Sequence, residues 1–171
     1  MANPIILVEY DPNWAAAYEQ EKARILEATG QWVQAVAHIG STSVPGLAAK
    51  PRLDIMVGLA DMIHADHLLE PLTAIGFSYH LFEPLIPDWR LFSRGEPVAC
   101  NLHIMPFEGK RWHDHKDFRD YLRAHPEKAH EYYQLKQSLA ARYVTDLRAY
   151  AGAKADFVAE VLALARAGQK I

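Results

Sequence analysis

Cysteine is nearly absent from this chain: Cys100 stands alone among 171 residues. One thiol excludes an intramolecular disulfide and any zinc site built on paired cysteines. Basic runs are missing as well. No stretch of Lys or Arg exceeds two residues, and the formal net charge is −3. Extended nucleic acid needs a basic stripe along its phosphates, so no nucleic-acid partner is expected. A small anionic ligand held by a few local cations stays open. No apolar run approaches the roughly 20 residues that cross a bilayer. The opening MANPIILVEYDPNW also lacks the basic and long apolar regions of a signal peptide. These absences predict no membrane partner and a cytoplasmic location. What is plentiful is core material. Half of the residues are hydrophobic and 23% are charged, a balance that supports a folded domain rather than disorder. The length suits a single domain over 1–171. The nine histidines read mostly as surface or helix-end residues.

Punctuation and periodicity divide the chain into elements. Asp11-Pro12 is a helix start, an N-cap acid before a proline. Trp14, Tyr18, Glu21 and Ile25 then share one face, and Gly30 supplies the stop. Trp32 to Ile39 reads as a strand ending at Gly40-Ser41, and Arg52 to Leu59 as a second. In the second strand Asp54, Met56 and Gly58 look one way, while Leu53, Ile55, Val57 and Leu59 look the other. A helix between Asp61 and Ile75 must be kinked or restarted at Pro71, and Phe77 to Phe82 reads as another strand. Trp89 to Arg94 and Val98 to Met105 form a hairpin about Gly95-Glu96-Pro97. Helical composition follows from about Asp114. Phe118, Tyr121, Leu122 and His125 form one stripe, with Pro126 opening the next helix. Tyr132, Leu135, Leu139, Tyr143, Leu147 and Tyr150 recur at helical spacing as core, and Phe157 to Ala165 gives a last amphipathic helix. The fold class is therefore α/β (α+β): a mixed sheet over about 8–110, backed by three packed C-terminal helices over about 113–168.

Three constellations carry chemistry. Gly40-Ser41-Thr42-Ser43 leaves a strand as a tight turn, where free amides and hydroxyls suit a phosphate or carboxylate. The bland alternative is a turn whose hydroxyls only cap. Asp54 opens an apolar strand and needs a partner: a metal, amides, or Lys50 or Arg52. With twelve residues between it and Ser41, it completes the outline of a nucleotidyltransferase core. Two-metal enzymes place a second acid at the alternate position. Met56 stands there, and a thioether is a poor ligand for a hard cation. The two-metal reading fails on the residues alone. Asn101 and His103 share a face of a later strand. If that strand lies beside the strand of Asp54, His103 reaches the same pocket, as a ligand of a single divalent metal ion or as a general base. His38 is the expected third metal ligand. Lys50, Arg94 and Lys154 are the expected cations for substrate charge, with Arg52, Lys110 and Arg111 nearby in the sequence. His113-Asp114-His115 spells a metal cluster but reads better as a helix N-terminus.

The segment HIGSTSVPGLAAKPRLDIMV resembles the signature of the GrpB family of the nucleotidyltransferase superfamily. The later WHDHKDFRDYLRAHPEKAHEYYQLKQSLAARY, the opening VEYDPNW and the closing DLRAYAGAKADFV are similar to the same family. The resemblance implies that Gly40 and Ser41 form the superfamily's Gly-Ser turn and that Asp54 is its first acid. Where the family commonly reads His-Leu-His, this chain reads Asn101-Leu102-His103. A cytoplasmic bacterial protein is implied, and related domains occur appended to dephospho-coenzyme A kinases.

The expected function is binding of a nucleotide or other small phosphorylated or anionic ligand. Gly40, Ser41 and Thr42 would contact phosphate, and Asp54 with His103 would form the catalytic and metal pair for nucleotidyl transfer. Two other classes compete. Met56 favours a noncatalytic ligand-binding or protein-interaction module, and the Asp54/His103 pair suits a single-metal hydrolase or cyclase.

Overall fold

The computed structural model describes residues 4–82, 85–96 and 98–168. Pro97, the last residue of the expected hairpin turn, lies outside them, as do the chain's first and last three residues. Helix α1 (Asn13–Thr29) begins where Asp11 Oδ1 accepts from the Asn13 amide at 2.9 Å. Its buried face is Trp14, Tyr18, Glu21 and Ile25, as the spacing predicts. Strands β1 (Val33–Ile39) and β2 (Leu53–Leu59) follow. The kink or restart expected at Pro71 takes the second form, with a change of helix type. A 3-10 stretch, Met62–Leu68, hands over to the short α2 (Leu69–Ala74), which holds Pro71 in its first turn, where no intrahelical amide is required.

Strands β3 (Ser78–His80), β4 (Arg90–Arg94) and β5 (Cys100–Pro106) complete a five-stranded sheet in the order β1-β2-β5-β4-β3. β2 and β5 run parallel, and the other pairs are antiparallel. The β4–β5 pairing is the predicted hairpin. β3 is shorter than the predicted Phe77–Phe82 because only these three residues pair with β4.

The alternation in β2 decides the two faces. Leu53, Ile55, Val57 and Leu59 join Leu102, Ile104 and Phe92 beneath α1 and α2, forming the main core. Met56 faces the other way, with Ile39, Met105 and Trp112. Trp112 comes from α3 (Lys110–Ala124), which packs close because Gly58 has no side chain. A Cβ there would meet the Trp112 ring at 2.9 Å.

Behind this second face lie α3, α4 (Pro126–Arg142), α5 (Leu147–Gly152) and α6 (Ala155–Gly168). The sequence predicts three helices here, and four are present among the described residues. Tyr143 ends α4, and Asp146 starts a new helix by accepting from the Ala149 amide at 2.9 Å. The interruption is about one helical turn long, so the three- and four-residue spacing of apolar groups runs through it unchanged. Among the described residues no helix is long and apolar enough to cross a membrane.

Candidate functional site

The turn after β1 is built for close approach. Gly40 has φ 69° and ψ −174°, a region open essentially to glycine alone. A Cβ at this position would lie 2.5 Å from Asp54 Oδ2, so glycine also makes room for the acid on the neighbouring strand. Ser43 Oγ donates back to Gly40 O at 2.6 Å. From outside, α3 clamps the turn. Arg123 donates two N–H groups to Ser43 O at 2.9 and 2.7 Å, and Arg119 donates to His38 O at 3.0 Å.

Parallel pairing of β2 with β5 sets Asn101 opposite Asp54 and His103 opposite Met56. Asn101 Nδ2 donates to Asp54 Oδ1 at 2.9 Å, and Arg52 donates to Asn101 Oδ1 at 3.4 Å. Arg52 otherwise serves the carbonyls of Arg94 and Cys100, each at 3.1 Å. It therefore supports Asp54 through Asn101. His103 Nε2 stands 3.8 Å from Asp54 Oδ1. Burial pushes the Asp54 carboxyl up, but contact with His103, the Asn101 bond and the Lys50 charge together outweigh it and hold it below its ordinary value. Trp89 Nε1 donates to His103 Nδ1 at 3.3 Å.

These groups open into a cavity of about 370 Å³ between the sheet and the helical layer. Gly40, Ser41, Thr42, Lys50, Asp54, His103 and Lys154 all line it, so most of the expected site residues meet in one place. Two do not. Arg94 lies on the opposite face of the sheet, where β4 pairs it with Cys100 of the main core. Its guanidinium is spent on an ion pair with Glu21 of α1 at 2.6 Å and lies over Phe77, so it cannot neutralise a ligand. His38 also faces away from Asp54, because it pairs with Ile55 and its neighbour Ile39 pairs with Asp54. Its ring stacks on Tyr18 and bonds Thr42 Oγ1 through Nε2 at 2.9 Å. Burial, with the Arg123 charge adding to it, pulls its pKa down to about 4. His38 is a neutral packing residue, not a metal ligand.

The cavity also contains residues that the sequence reading did not assign to it. Lys136 of α4, 2% exposed, donates to Ser41 Oγ at 3.1 Å and to Ala48 O, above the Tyr132 ring. Burial and the charges of Lys154 and Lys50 bring its pKa down to about 7. Lys154, also lowered by burial and by Lys50, sits near 8, and both Lys50 and Lys154 lie over the Tyr150 ring. Tyr132 and Tyr150 are thus core residues whose rings also wall the cavity. The legible signal for Lys136 was its position four residues after Tyr132, a charge on the apolar stripe of a helix. His115 is the other addition, 5.8 Å from His103 between ring centroids. Burial lowers its pKa to about 4. The rest of the His113-Asp114-His115 string disperses as a helix start should: His113 meets Glu108 at 3.1 Å, and Asp114 pairs with Lys110 and Arg166.

A divalent cation does not fit this donor set. Asp54 is the one carboxylate lining the cavity among the described residues, and Met56 is sealed among hydrocarbon. An indole N–H can only donate, so His103 Nδ1 accepts and the ring proton sits on Nε2, the nitrogen facing Asp54. Three lysines share the same space. Hard cations want several anionic oxygens, and among the described residues no three His, Cys, Asp or Glu side chains converge as a metal cluster. The arrangement suits an anion, which three ammonium groups, a serine hydroxyl and a tight turn would satisfy.

A five-stranded mixed sheet with a Gly-Ser turn and a strand-borne acid at one face defines a nucleotidyltransferase-like fold. Its outline matches the structure of a cytoplasmic RNA terminal U-transferase with a TM-score of 0.52 at 14% identity, over 75% of this chain and 40% of that one, a likeness of fold alone. The crystal structure of the conserved protein GrpB from Enterococcus faecalis matches far more fully, with a TM-score of 0.83 and 31% identity over 94% of this chain and 96% of that one. The glutamate-rich protein GrpB of Alkalihalophilus pseudofirmus is 33% identical over 164 residues, 92% of this chain and 94% of its own length. The family model described as GrpB protein matches residues 4–164, and the chain belongs to the GrpB family.

Proposed function

We propose that this protein binds a small phosphorylated ligand, nucleotides included, in the cavity between Ser41, Lys50, Lys136 and Lys154. One observation carries the reading: three lysines converge on a Gly-Ser turn around a cavity whose only carboxylate, among the described residues, is Asp54. Burying three ammonium groups together with a single carboxylate among them is costly, and the cost shows as lysines that hold their protons weakly. A phosphate would supply the missing negative charge and raise those pKa values again. Binding is then linked to proton uptake. Met56 and the protonated Nε2 of His103 argue against metal-dependent nucleotidyl transfer, so the reading is recognition of the anion.

Calorimetric titration with inorganic phosphate and with ATP, each with and without Mg²⁺, tests it. Both ligands should bind without metal. Between pH 7 and 8 they should take up protons, read from buffers of different ionisation enthalpy. Lys136→Met should weaken binding by about tenfold or more, the loss of a charge-assisted contact. Absence of binding at millimolar ligand, or equal affinity in the variant, would remove the proposal. A strict Mg²⁺ requirement would reinstate the metal reading.

A further inference from the structure

The lysines account for the phosphate and leave the Asp54–His103 pair, which lines the same cavity, without a task. Asp54 Oδ1 and His103 Nε2 are 3.8 Å apart, too far for a direct hydrogen bond. They are close enough for a single small group to bond both. The chemistry of that group is fixed by what each side offers. Asp54 is held ionised by its neighbours and can only accept. His103 presents Nε2–H and can only donate, because the Trp89 indole occupies Nδ1. A carbonyl would satisfy His103 and repel Asp54, and an ammonium would do the reverse. A hydroxyl accepts from one and donates to the other.

We propose that Asp54 and His103 read a hydroxyl beside the phosphate, that the ligand is therefore a hydroxylated phosphate ester, and that Trp89 is the positioning residue that sets this polarity. The inference rests on the phosphate reading above. Trp89 does not act as a stacking platform for a base, since its ring is already flanked by His103 at 5.9 Å, Phe82 at 5.1 Å and the Arg111 guanidinium at 5.8 Å. Its N–H is what matters. Removing it frees Nδ1 to carry the proton, and Nε2 then becomes a second acceptor facing a carboxylate. A water bridging the two groups in the free protein would be replaced by the ligand hydroxyl with the same two bonds, so selectivity falls on esters that reproduce them.

The test compares three probes by calorimetry: glycerol 3-phosphate, n-propyl phosphate, which has the same chain without hydroxyls, and inorganic phosphate. The wild-type protein should favour glycerol 3-phosphate over propyl phosphate by about tenfold, the worth of a hydrogen bond to a charged group. Trp89→Phe should reduce that preference to about twofold or less, with propyl phosphate affinity unchanged, which also shows that the variant is folded. Nitrogen-15 spectra of the wild-type histidines should place the His103 ring proton on Nε2, and in Trp89→Phe the tautomer signature should shift. Equal binding of the two esters overturns the hydroxyl reading and leaves the phosphate reading standing. A His103 proton found on Nδ1 in the wild type overturns the role of Trp89. Failure of all three probes to bind overturns both readings together.

Discussion

Gly40 carries two constraints at once, a backbone angle that other residues avoid and a missing side chain that Asp54 needs. Gly40→Ala should lower stability by about 1–3 kcal/mol, measured by urea unfolding, because the backbone is strained for any other residue and the clash reaches Asp54 Cβ at 2.9 Å as well as its carboxylate. The same substitution should weaken phosphate binding, since either Asp54 or the Ser41 turn must move. Met56 is the opposite kind of residue. Its position spells a missing acid, and its side chain is fully buried with Ile39, Met105 and Trp112. Met56→Asp therefore would not restore a metal site. It should cost about 3 kcal/mol or more by strand-buried, unpaired charge, and Mn²⁺ titration of the folded variant should show no new binding. Both outcomes were half legible in the sequence. Alternation along β2 identified the face of Met56, but only the packing of α3 shows that the face turns from polar at Asp54 to sealed at Met56.

At the scale of elements, the helical half carries two of the three ligand lysines, and its joints matter more than its lengths. Lys136 belongs to α4, Tyr150 to α5, and Lys154 to the turn that follows. The four-residue break at 143–146 lets α5 fold back so that Tyr150 and Lys154 reach the cavity wall. Asp146 holds that joint by capping α5. Asp146→Ala should lower the unfolding free energy by about 1 kcal/mol, the usual worth of an N-cap, and should weaken phosphate binding through Lys154. A single helix through 126–152 would carry Tyr150 and Lys154 on along its axis instead. Spacing could not reveal the break, because an interruption of one turn preserves periodicity; Val144-Thr145-Asp146, two β-branched residues before a capping acid, was the local signal.

Across the whole molecule, buried titratable groups give a pH dependence whose direction is set by the shifts. His38 and His115 both have folded values near 4 against an ordinary 6.5. The unfolded chain therefore takes up protons first, and their stabilisation, complete above pH 6.5, is lost as pH falls towards 4. The lowered carboxyl of Asp54 adds a further loss only below its ordinary 3.8. Lys136 and Lys154 act in the same sense at higher pH: lowered to about 7 and 8 from 10.5, they let stability rise as pH rises through that range. Urea midpoints should thus climb from pH 4 to 6.5 and again above 7, with His38→Phe flattening the acid limb. Phosphate should raise the midpoint most near neutral pH, where the lysines still hold protons.

Much of this protein is written locally. Strand alternation, the Asp11 start of α1, the Pro126 start of α4 and the Gly-Ser turn beside a lone acid depend on neighbours in sequence, and they determined the elements, the faces of β2 and the GrpB resemblance. Which cations serve the site depended on register and packing between distant segments. The pairing of β4 with β5 sends Arg94 to Glu21 on the far face, the β1–β2 register turns His38 away from Asp54, and the fold of α4 onto the turn brings in Lys136 from 95 residues away. Long flexible side chains reveal their charge in a sequence but not their direction. Only the tertiary structure, by closing the cavity, decides which of them must give up water and so need an anion.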